Sequence, residues 1–272
     1  MMAIPANLIL NADDFGLDPR VSRGIALCLD EGLINSFSVF PFSDDFHVAL
    51  LGQILVKHPQ VKVGAHLAWV GSGMEEHRDH YRDFLRRYVT LKIRPAEVRE
   101  MWRAQILELG AHLGGTDKIA HLDSHQHLHV LPGLWPVMKA LQVEFKIPRV
   151  RVPYESLVRA VGYRFPFGLG MQVLARMRVT EDTPGFIGFF TSTCFTVEGN
   201  RRALERVRRE PGRVVELMVH PAVAGEGERG ANEKLGDGKK IREERGEFLD
   251  KRQKREIGEL RKMKISFERA LG

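Results

Sequence analysis

The sequence is poor in cysteine and lacks any long apolar run. Its 272 residues include two cysteines, Cys28 and Cys194, whose number and spacing fit neither a disulfide framework nor a zinc site. No stretch reaches the roughly 18 consecutive apolar residues of a membrane-spanning helix. The first residues also lack the basic region and apolar core of a secretory leader. We therefore expect a cytoplasmic protein without a transmembrane segment, with both cysteines buried as small apolar side chains.

The sequence also has no acidic excess, and its formal net charge of +6 is concentrated near the C-terminus. Residues 239–264 contain eleven Lys or Arg and six Asp or Glu, a difference of five positive charges. These charges interleave as on the solvated face of a helix, so we expect no nucleic-acid partner. The Gly-rich, charged residues 224–240 predict either a mobile loop or an active-site flap, and residues 241–272 predict a charged helix followed by a short strand.

Short apolar strands alternate with helices along the rest of the chain. The helices are expected at Pro19–Gly32, Phe46–Lys57, Pro95–Leu113, Leu134–Phe145 and Glu198–Arg209, with one or two more between Glu155 and Arg178. After a first strand beginning at Leu8, the others are expected at Ser36–Phe42, Val61–Leu67, Ile119–Asp123, Pro148–Pro153, Gly188–Phe195 and Arg213–Pro221. This order predicts a single α/β domain over residues 1–272, with seven to eight mostly parallel strands. A closed or nearly closed β/α barrel fits best, and a doubly wound sheet remains open.

Polar side chains fall where four of these strands end. Asp13 and Asp14 end the first strand, His66 ends the third, the run "HLDSHQHLH" (His121 to His129) ends the fourth, and His220 ends the seventh. In either architecture these ends share one rim, where functional groups usually lie. Taken singly, the acid pair could cap a helix, and a lone histidine is more often part of the core.

Carboxylate oxygens and imidazole nitrogens together suit a divalent cation, and a catalytic site needs about three protein ligands. We expect His121, Asp123 and His125 to share one face of an extended segment. One aspartate of the pair would bind the ion, and its neighbour would act as a base towards water. The cation would also offset the repulsion between the two adjacent acids.

The segments "NADDFG", "GAHL", "HLDSHQHLH" and "ELMVHP", in this order, resemble the YdjC-like carbohydrate deacetylases. That family includes chitooligosaccharide deacetylases and hopanoid-biosynthesis-associated deacetylases. The resemblance implies a distorted β/α barrel, a divalent metal that is often magnesium, and hydrolysis of an N-acetyl group from an amino sugar. Zinc, manganese or cobalt would suit the same ligands. A homodimer is also implied by the family rather than by any pattern in the residues.

The resemblance further implies a role for each matching residue. Asp14, His66 and His125 would bind the metal, Asp13 would be the base, and His220 would be an acid or stabilise the oxyanion. His121 and Asp123 would orient the ligands, His127 and His129 would line the substrate pocket, and Arg151 would contact the sugar or polarise a carbonyl.

The chain departs from the family pattern at Gln126, at Ala222 and in "GAHLAW", which leaves the substrate open between an N-acetylated sugar and a glycolipid. The variant "HQHLHVLPG" is most similar to the hopanoid-associated branch. Two alternatives remain at this stage. One is a metal-dependent hydrolase of a phosphate or ester bond, and the other is a binding module whose basic C-terminal helix contacts nucleic acid or anionic lipid.

Overall fold

The computed structural model describes residues 4–41, 44–69, 84–155, 166–191, 196–223 and 255–265. Six strands lie within these ranges: β1 (Leu8–Phe15), β2 (Ser36–Val39), β3 (Lys62–Leu67), β4 (Ile119–Ser124), β5 (Gly185–Ile187) and β6 (Val215–Val219). The helices with defined bounds are α1 (Pro19–Asp30), α2 (Asp45–Lys57), α3 (Pro95–Leu113), α4 (Leu134–Glu144), α5 (Pro166–Arg176) and α6 (Val197–Arg209), and residues 84–89 and 255–265 are helical as well. The predicted loop at 224–240 and the first part of the predicted C-terminal helix lie outside the described residues.

The strands form one parallel sheet in the order β4-β3-β2-β1-β6-β5, curled into a half-barrel. The α/β class and the parallel, barrel-like arrangement are confirmed. The expected seven to eight strands are not found, because the described ranges contain six. The predicted strand Pro148–Pro153 is reduced to a single parallel bridge between Val150 and Leu122. A proline at each end of this segment removes a backbone donor that a longer ladder would need.

The predicted strand Gly188–Phe195 is misplaced. The observed strand, β5, ends at Ile187, and Gly188 follows with a φ of 126°, a conformation open mainly to glycine. Phe189 and Phe190 then lie in a bend and a turn, and residues 192–195 are outside the described part of the chain. The run of apolar and β-branched residues there indicated a strand, but the backbone turn at Gly188 had already ended it.

Most helices begin and end where the sequence places them. In α1 the Asp18 side chain accepts a hydrogen bond from the Arg20 backbone N–H at 2.7 Å, and Pro19 occupies the first turn. Helix α3 spans Pro95–Leu113 as predicted and is closed by Gly114, which has a φ of 75°. Such caps are local interactions, which explains why their positions could be predicted.

The two faces of the half-barrel differ in polarity. One face carries apolar side chains such as Leu10, Ala65 and Leu217, which are buried in the core with the helices. Polar side chains occupy alternate positions on the other face: Asn11, Asp13, Ser36, Ser38, His66, His121, Asp123 and Glu216, each no more than 2% exposed. Period-two alternation therefore produces a buried polar interior that leads to the carboxyl ends of the strands.

Residues 255–265 are helical, which agrees with the predicted C-terminal helix over this part. The apolar residues Ile257, Leu260 and Met263 of this helix are buried in the core, while Arg261 and Lys262 are exposed on its other side. Glu256 is also buried and accepts a hydrogen bond from the His220 backbone N–H at 2.6 Å. Among the described residues, no helix has the length and apolarity to cross a membrane.

Candidate active site

The two adjacent aspartates at the end of β1 take different positions because the strand is irregular there. The pairing of β1 with β2 shifts register between Ala12 and Phe15, and Asp14 has a φ of 72°. Asp13 continues the alternation and lies on the polar face with Asn11. Asp14 leaves that alternation and contacts histidines of the neighbouring elements. A left-handed aspartate costs backbone energy, and such strain is concentrated at functional sites.

Asp14, His66 and His125 form a compact cluster at the strand ends. Asp14 Oδ1 lies 3.1 Å from His66 Nε2 and 3.0 Å from His125 Nδ1, and the two ring nitrogens are 3.3 Å apart. Burial opposes ionisation of Asp14, but His125 and His66 hold the pKa of its carboxyl well below the usual value. The cluster therefore presents an ionised carboxylate and two imidazoles to one point.

These three donor atoms fit a divalent cation. Metal bonds of about 2.0–2.1 Å place neighbouring ligand atoms about 2.8–3.4 Å apart, from octahedral at the short end to tetrahedral at the long end. The observed separations of 3.0, 3.1 and 3.3 Å fall in this range. The side chains of Asp14 and His125 keep 9% and 19% of their surface exposed, so the site retains access to solvent. The predicted metal ligands are thus brought together, although no specific ion is shown.

His66 is oriented from behind by Asp123. These residues are register partners on β3 and β4, and His66 Nδ1 lies 2.9 Å from Asp123 Oδ1. This contact directs Nε2 towards Asp14, as carboxylates commonly do for metal-binding histidines. Burial lowers the pKa of His66, but the charges of Asp123 and Asp13 outweigh burial and raise it well above the ordinary value. The orienting role of Asp123 stays a prediction, and this contact is the geometry that such a role requires.

The histidine-rich run is extended only as far as Ser124. His125–Val130 forms a 3₁₀ segment interrupted by left-handed backbone at Gln126 and His127. His121 and Asp123 share a face of β4, but His125 begins the next element, so the expected common face of all three is wrong. His125 is the first residue of this segment and contacts Asp14 from there. The residue types predicted the site, while the backbone change at the strand end was not visible in the sequence.

A second group of acids is neutralised by an arginine. Arg151 Nη1 lies 2.6 Å from Asp13 Oδ2, Nη2 lies 2.8 Å from Asp13 Oδ1, and Nη1 also pairs with Asp123. Asp13, His66 and Asp123 also have donor atoms close enough for a cation. The Arg151 guanidinium already supplies positive charge to both of these carboxylates. The geometry therefore favours the Asp14 cluster for a metal.

Asp13 is held firmly in its buried position. Its carboxylate also accepts hydrogen bonds from Asn11 Nδ2 at 2.6 Å and from Ser38 Oγ at 2.8 Å. Burial raises the pKa of Asp13, but the Arg151 charge outweighs burial and leaves the pKa below its usual value. The carboxylate is consequently ionised at neutral pH and oriented by three different side chains.

Arg151 is in turn held by Glu216 on β6. Its Nε donates to Glu216 Oε1 at 2.6 Å, and Arg149 pairs with the other carboxylate oxygen of Glu216. The Arg151 side chain has no exposed surface, and it meets three carboxylates. This arrangement argues against the predicted direct contact between Arg151 and a sugar, because its guanidinium is engaged within the protein.

The two other predicted substrate residues, His129 and His127, differ in their contacts. His129 Nδ1 lies 2.7 Å from Ser124 Oγ and Nε2 lies 2.9 Å from the Arg151 carbonyl, so neither ring nitrogen remains for a sugar. Burial lowers the pKa of His129 to about 4. His127 is 8% exposed and stacks on Phe189 with ring centres 5.4 Å apart. His127 thus remains the better placed of the two to meet a substrate.

His220 lies near Oδ2 of Asp14, whereas His66 and His125 contact Oδ1. Its Nε2 is 3.9 Å from Asp14 Oδ2, and 12% of its side chain is exposed. The following backbone packs closely on α1, because a Cβ at Gly24 would lie 2.7 Å from atoms of Pro221 and Ala222. This contact and the bond to Glu256 fix the segment that presents His220 to the site.

A cleft opens beside His66, between the ends of β2 and β3 and helix α3. Its lining includes Phe40, Pro41, Leu67, Glu108 and His112. The cleft therefore lies next to a proposed metal ligand.

Sequence reasoning missed several residues that build the site, namely Asn11, Ser38, Arg149, Glu216 and Glu256. For three of them a signal was available. Asn11, Ser38 and Glu216 are polar residues at alternate positions inside otherwise apolar strands, which indicates a polar inner face. Arg149 stands in the predicted strand Pro148–Pro153 and Glu256 in the predicted C-terminal helix, and only their spatial contacts show their roles.

Known proteins are similar to this chain in sequence or in fold. The chain is 29% identical over 225 residues to a protein named carbohydrate deacetylase from Brevibacillus brevis, covering 80% of this chain and 82% of that one. A protein of the same name from Halalkalibacterium halodurans is 32% identical over 233 residues, covering 80% and 86%. A solved structure of a cellobiose-phosphate cleavage protein from Enterococcus faecalis superposes with a TM-score of 0.58 at 22% identity, covering 80% and 82%, which supports the fold alone.

The family relationship extends over most of the chain. The sequence model of the YdjC-like protein family matches residues 7–259. That range includes both aspartates, the histidines of the cluster, Arg151 and His220. The resemblance first seen in four short motifs is thereby confirmed, and the chain belongs to the YdjC-like protein family.

Proposed function

We propose that this protein is a metal-dependent hydrolase that removes the N-acetyl group from an amino sugar or a glycoconjugate. The observation that carries the proposal is the meeting of Asp14, His66 and His125 at the strand ends, beside the buried carboxylate of Asp13. Relatives that match most of this chain are named carbohydrate deacetylase, which supports the same class of reaction.

Asp14, His66 and His125 are the residues that would hold the cation. Their mixed oxygen and nitrogen donors suit Mg²⁺, Zn²⁺, Mn²⁺ or Co²⁺, and the family resemblance favours Mg²⁺. When bound, a divalent cation lowers the pKa of water and polarises a carbonyl oxygen. Asp123 would keep His66 Nε2 available for the cation by holding Nδ1.

Asp13 and His220 would move the protons. The water oxygen bonds to the acetyl carbonyl carbon while Asp13, ionised and oriented by Arg151, accepts a proton from that water. The carbon–nitrogen bond then breaks, and His220 Nε2 gives a proton to the departing nitrogen. The products are acetate and the free amine. Arg151 is therefore proposed as a positioning residue for Asp13, and His127 as a substrate contact.

The test is acetate release by the purified protein from N-acetylglucosamine, diacetylchitobiose and an N-acetylglucosaminyl lipid. Each reaction is run after EDTA treatment and again after addition of Mg²⁺, Zn²⁺, Mn²⁺ or Co²⁺. We expect release that EDTA abolishes and a metal restores. His58→Ala is the matched control for the histidine variants, because His58 pairs with Asp30 at the surface end of α2, and it should keep full activity.

Release that persists in EDTA would overturn the role of the metal. Metal binding without release from any substrate would overturn deacetylation of these sugars. It would instead favour a phosphate or ester bond, which is tested by replacing the substrates with sugar phosphates and O-acetyl sugars.

A further inference from the structure

A basic and apolar turn lies on the same edge of the sheet as the candidate active site. We name residues 84–94 the rim turn: residues 84–89 are helical, residues 90 and 91 form a turn, and residues 92–94 lead to the start of α3. The Phe84 ring centre is 5.4 Å from that of Trp69, and Tyr88 donates a hydrogen bond to the Pro132 carbonyl at 2.8 Å. Pro132 follows the 3₁₀ segment that begins at His125. The turn is therefore fixed to the carboxyl ends of β3 and β4.

The rim turn exposes two large apolar side chains within three residues. Val89 is 76% exposed and Leu91 is 90% exposed. The backbone around them is defined, since Leu91 has a φ of 56° and the Lys92 N–H donates to the Arg87 carbonyl at 2.7 Å. Phe84 and Ile93 are buried and anchor both ends of the turn. Val89 and Leu91 are therefore exposed on a segment whose backbone is hydrogen-bonded and whose ends are buried.

The charge of the rim turn has one sign. Arg86, Arg87, Lys92 and Arg94 lie in it, and residues 84–94 contain no Asp or Glu. Arg87 stacks over Trp69, and Arg94 has a loose contact of 3.7 Å with Glu97. Val56, which is also exposed, has a different setting, because the following Lys57 pairs with Asp30.

From this combination we infer that the rim turn docks on an anionic phospholipid bilayer, with Val89 and Leu91 entering the interface. The cations would then lie at the level of the lipid phosphates, as basic residues do in peripheral membrane proteins. Because the turn shares its edge with Asp14 and His66, docking would turn the candidate active site towards the bilayer. The inference goes beyond the proposed reaction and can be tested without any activity.

The test is co-sedimentation of the full chain with vesicles of phosphatidylcholine mixed with phosphatidylglycerol, and with vesicles of phosphatidylcholine alone. We expect binding to the mixed vesicles that added salt weakens and little binding to the neutral ones. The variant Val89→Asp/Leu91→Asp should reduce the apparent affinity by about tenfold or more. Arg86→Glu/Lys92→Glu should reduce it similarly.

Two controls separate this surface from others. Val56→Asp/Val143→Asp changes two residues that are 85% and 75% exposed, at the ends of α2 and α4, and it should bind like the wild type. Thermal melting of each variant checks that folding is unchanged. The inference is overturned if the wild type does not sediment with mixed vesicles. It is equally overturned if the rim-turn variants bind as well as the wild type, which would direct attention to the basic C-terminal segment.

Discussion

Arg151 holds both oxygens of the Asp13 carboxylate, with Nη1 2.6 Å from Oδ2 and Nη2 2.8 Å from Oδ1. Arginine keeps its charge at any physiological pH, and its planar group fixes a carboxylate more firmly than a lysine could. Asp13 therefore has a permanent cation as its partner, whereas Asp14 faces only histidines within the described contacts. This difference leads us to propose different functions for two adjacent acids.

The two aspartates should respond differently to the same substitution. We expect Asp13→Asn to keep its affinity for the metal and lose turnover by about 10²- to 10⁴-fold, the usual contribution of a general base. Asp14→Asn should lose metal binding together with turnover. Isothermal titration with metal and acetate release measure the two effects separately. Loss of metal in Asp13→Asn with retention in Asp14→Asn would reverse the assignment.

Arg151 should affect kcat much more than KM. Arg151→Lys keeps the charge but cannot bind Asp13 through two parallel hydrogen bonds, so we expect kcat to fall by about tenfold or more with little change in KM. Glu216→Gln should act in the same direction, because it weakens the group that holds Arg151 Nε. Steady-state kinetics measure both parameters, with the surface variant Arg261→Lys as a control. A rise in KM at unchanged kcat would instead support the predicted sugar contact.

Gly64 should be intolerant of a methyl group. A Cβ at Gly64 would lie 2.2 Å from atoms of the His121 ring, which is fully buried on the neighbouring strand. We expect Gly64→Ala to lower the free energy of unfolding by about 1–3 kcal/mol, as overpacking does in cores. Gly52→Ala in α2 is the matched control, since no atom lies within 4 Å of the new Cβ. That variant should gain about 0.5–1 kcal/mol from helix propensity, and urea denaturation of both variants checks the difference.

His121 should make folding sensitive to acid. Burial and the charge of Arg149 lower the pKa of His121 to about 4, and neither ring nitrogen has a hydrogen-bond partner among the described residues. Above pH 6.5 the ring is neutral in the folded and unfolded chain, so its contribution to stability is constant. Between pH 6.5 and about 4 the unfolded chain binds a proton that the folded chain excludes. The free energy of unfolding should then fall by about 1.4 kcal/mol per pH unit for this group.

The measurement is urea denaturation in EDTA at about pH 7 and about pH 5, for the wild type and His121→Asn. His129, with a pKa of about 4, adds a contribution of the same sign in both proteins. The dependence on pH is the informative quantity, because the cavity left by the smaller side chain costs the same at each pH. Equal dependence in the two proteins would contradict the prediction.

The sequence alone predicts most of the helices and strands, and it predicts that carboxylate and imidazole side chains lie at the strand ends. The bounds of α3 agree with the prediction because a proline and a glycine mark them locally. The metal-type residues were identifiable because "NADDFG", "GAHL" and the histidine run each follow a short apolar strand. The alternation of polar and apolar residues in the strands also indicates the polar inner face of the sheet.

Tertiary structure decided which of these residues meet. Arg151 reaches Asp13 across 138 positions of sequence, and His125 reaches Asp14 across 111. The first contact depends on the bridge that places Val150 beside β4, and the second involves Asp14, whose backbone is left-handed at the end of β1. Neither feature has a local sequence signal comparable to a helix cap. Both contacts are stabilised by the pairing of buried charged and polar groups inside the curled sheet. Such pairs form only after strands that are distant in sequence have come together.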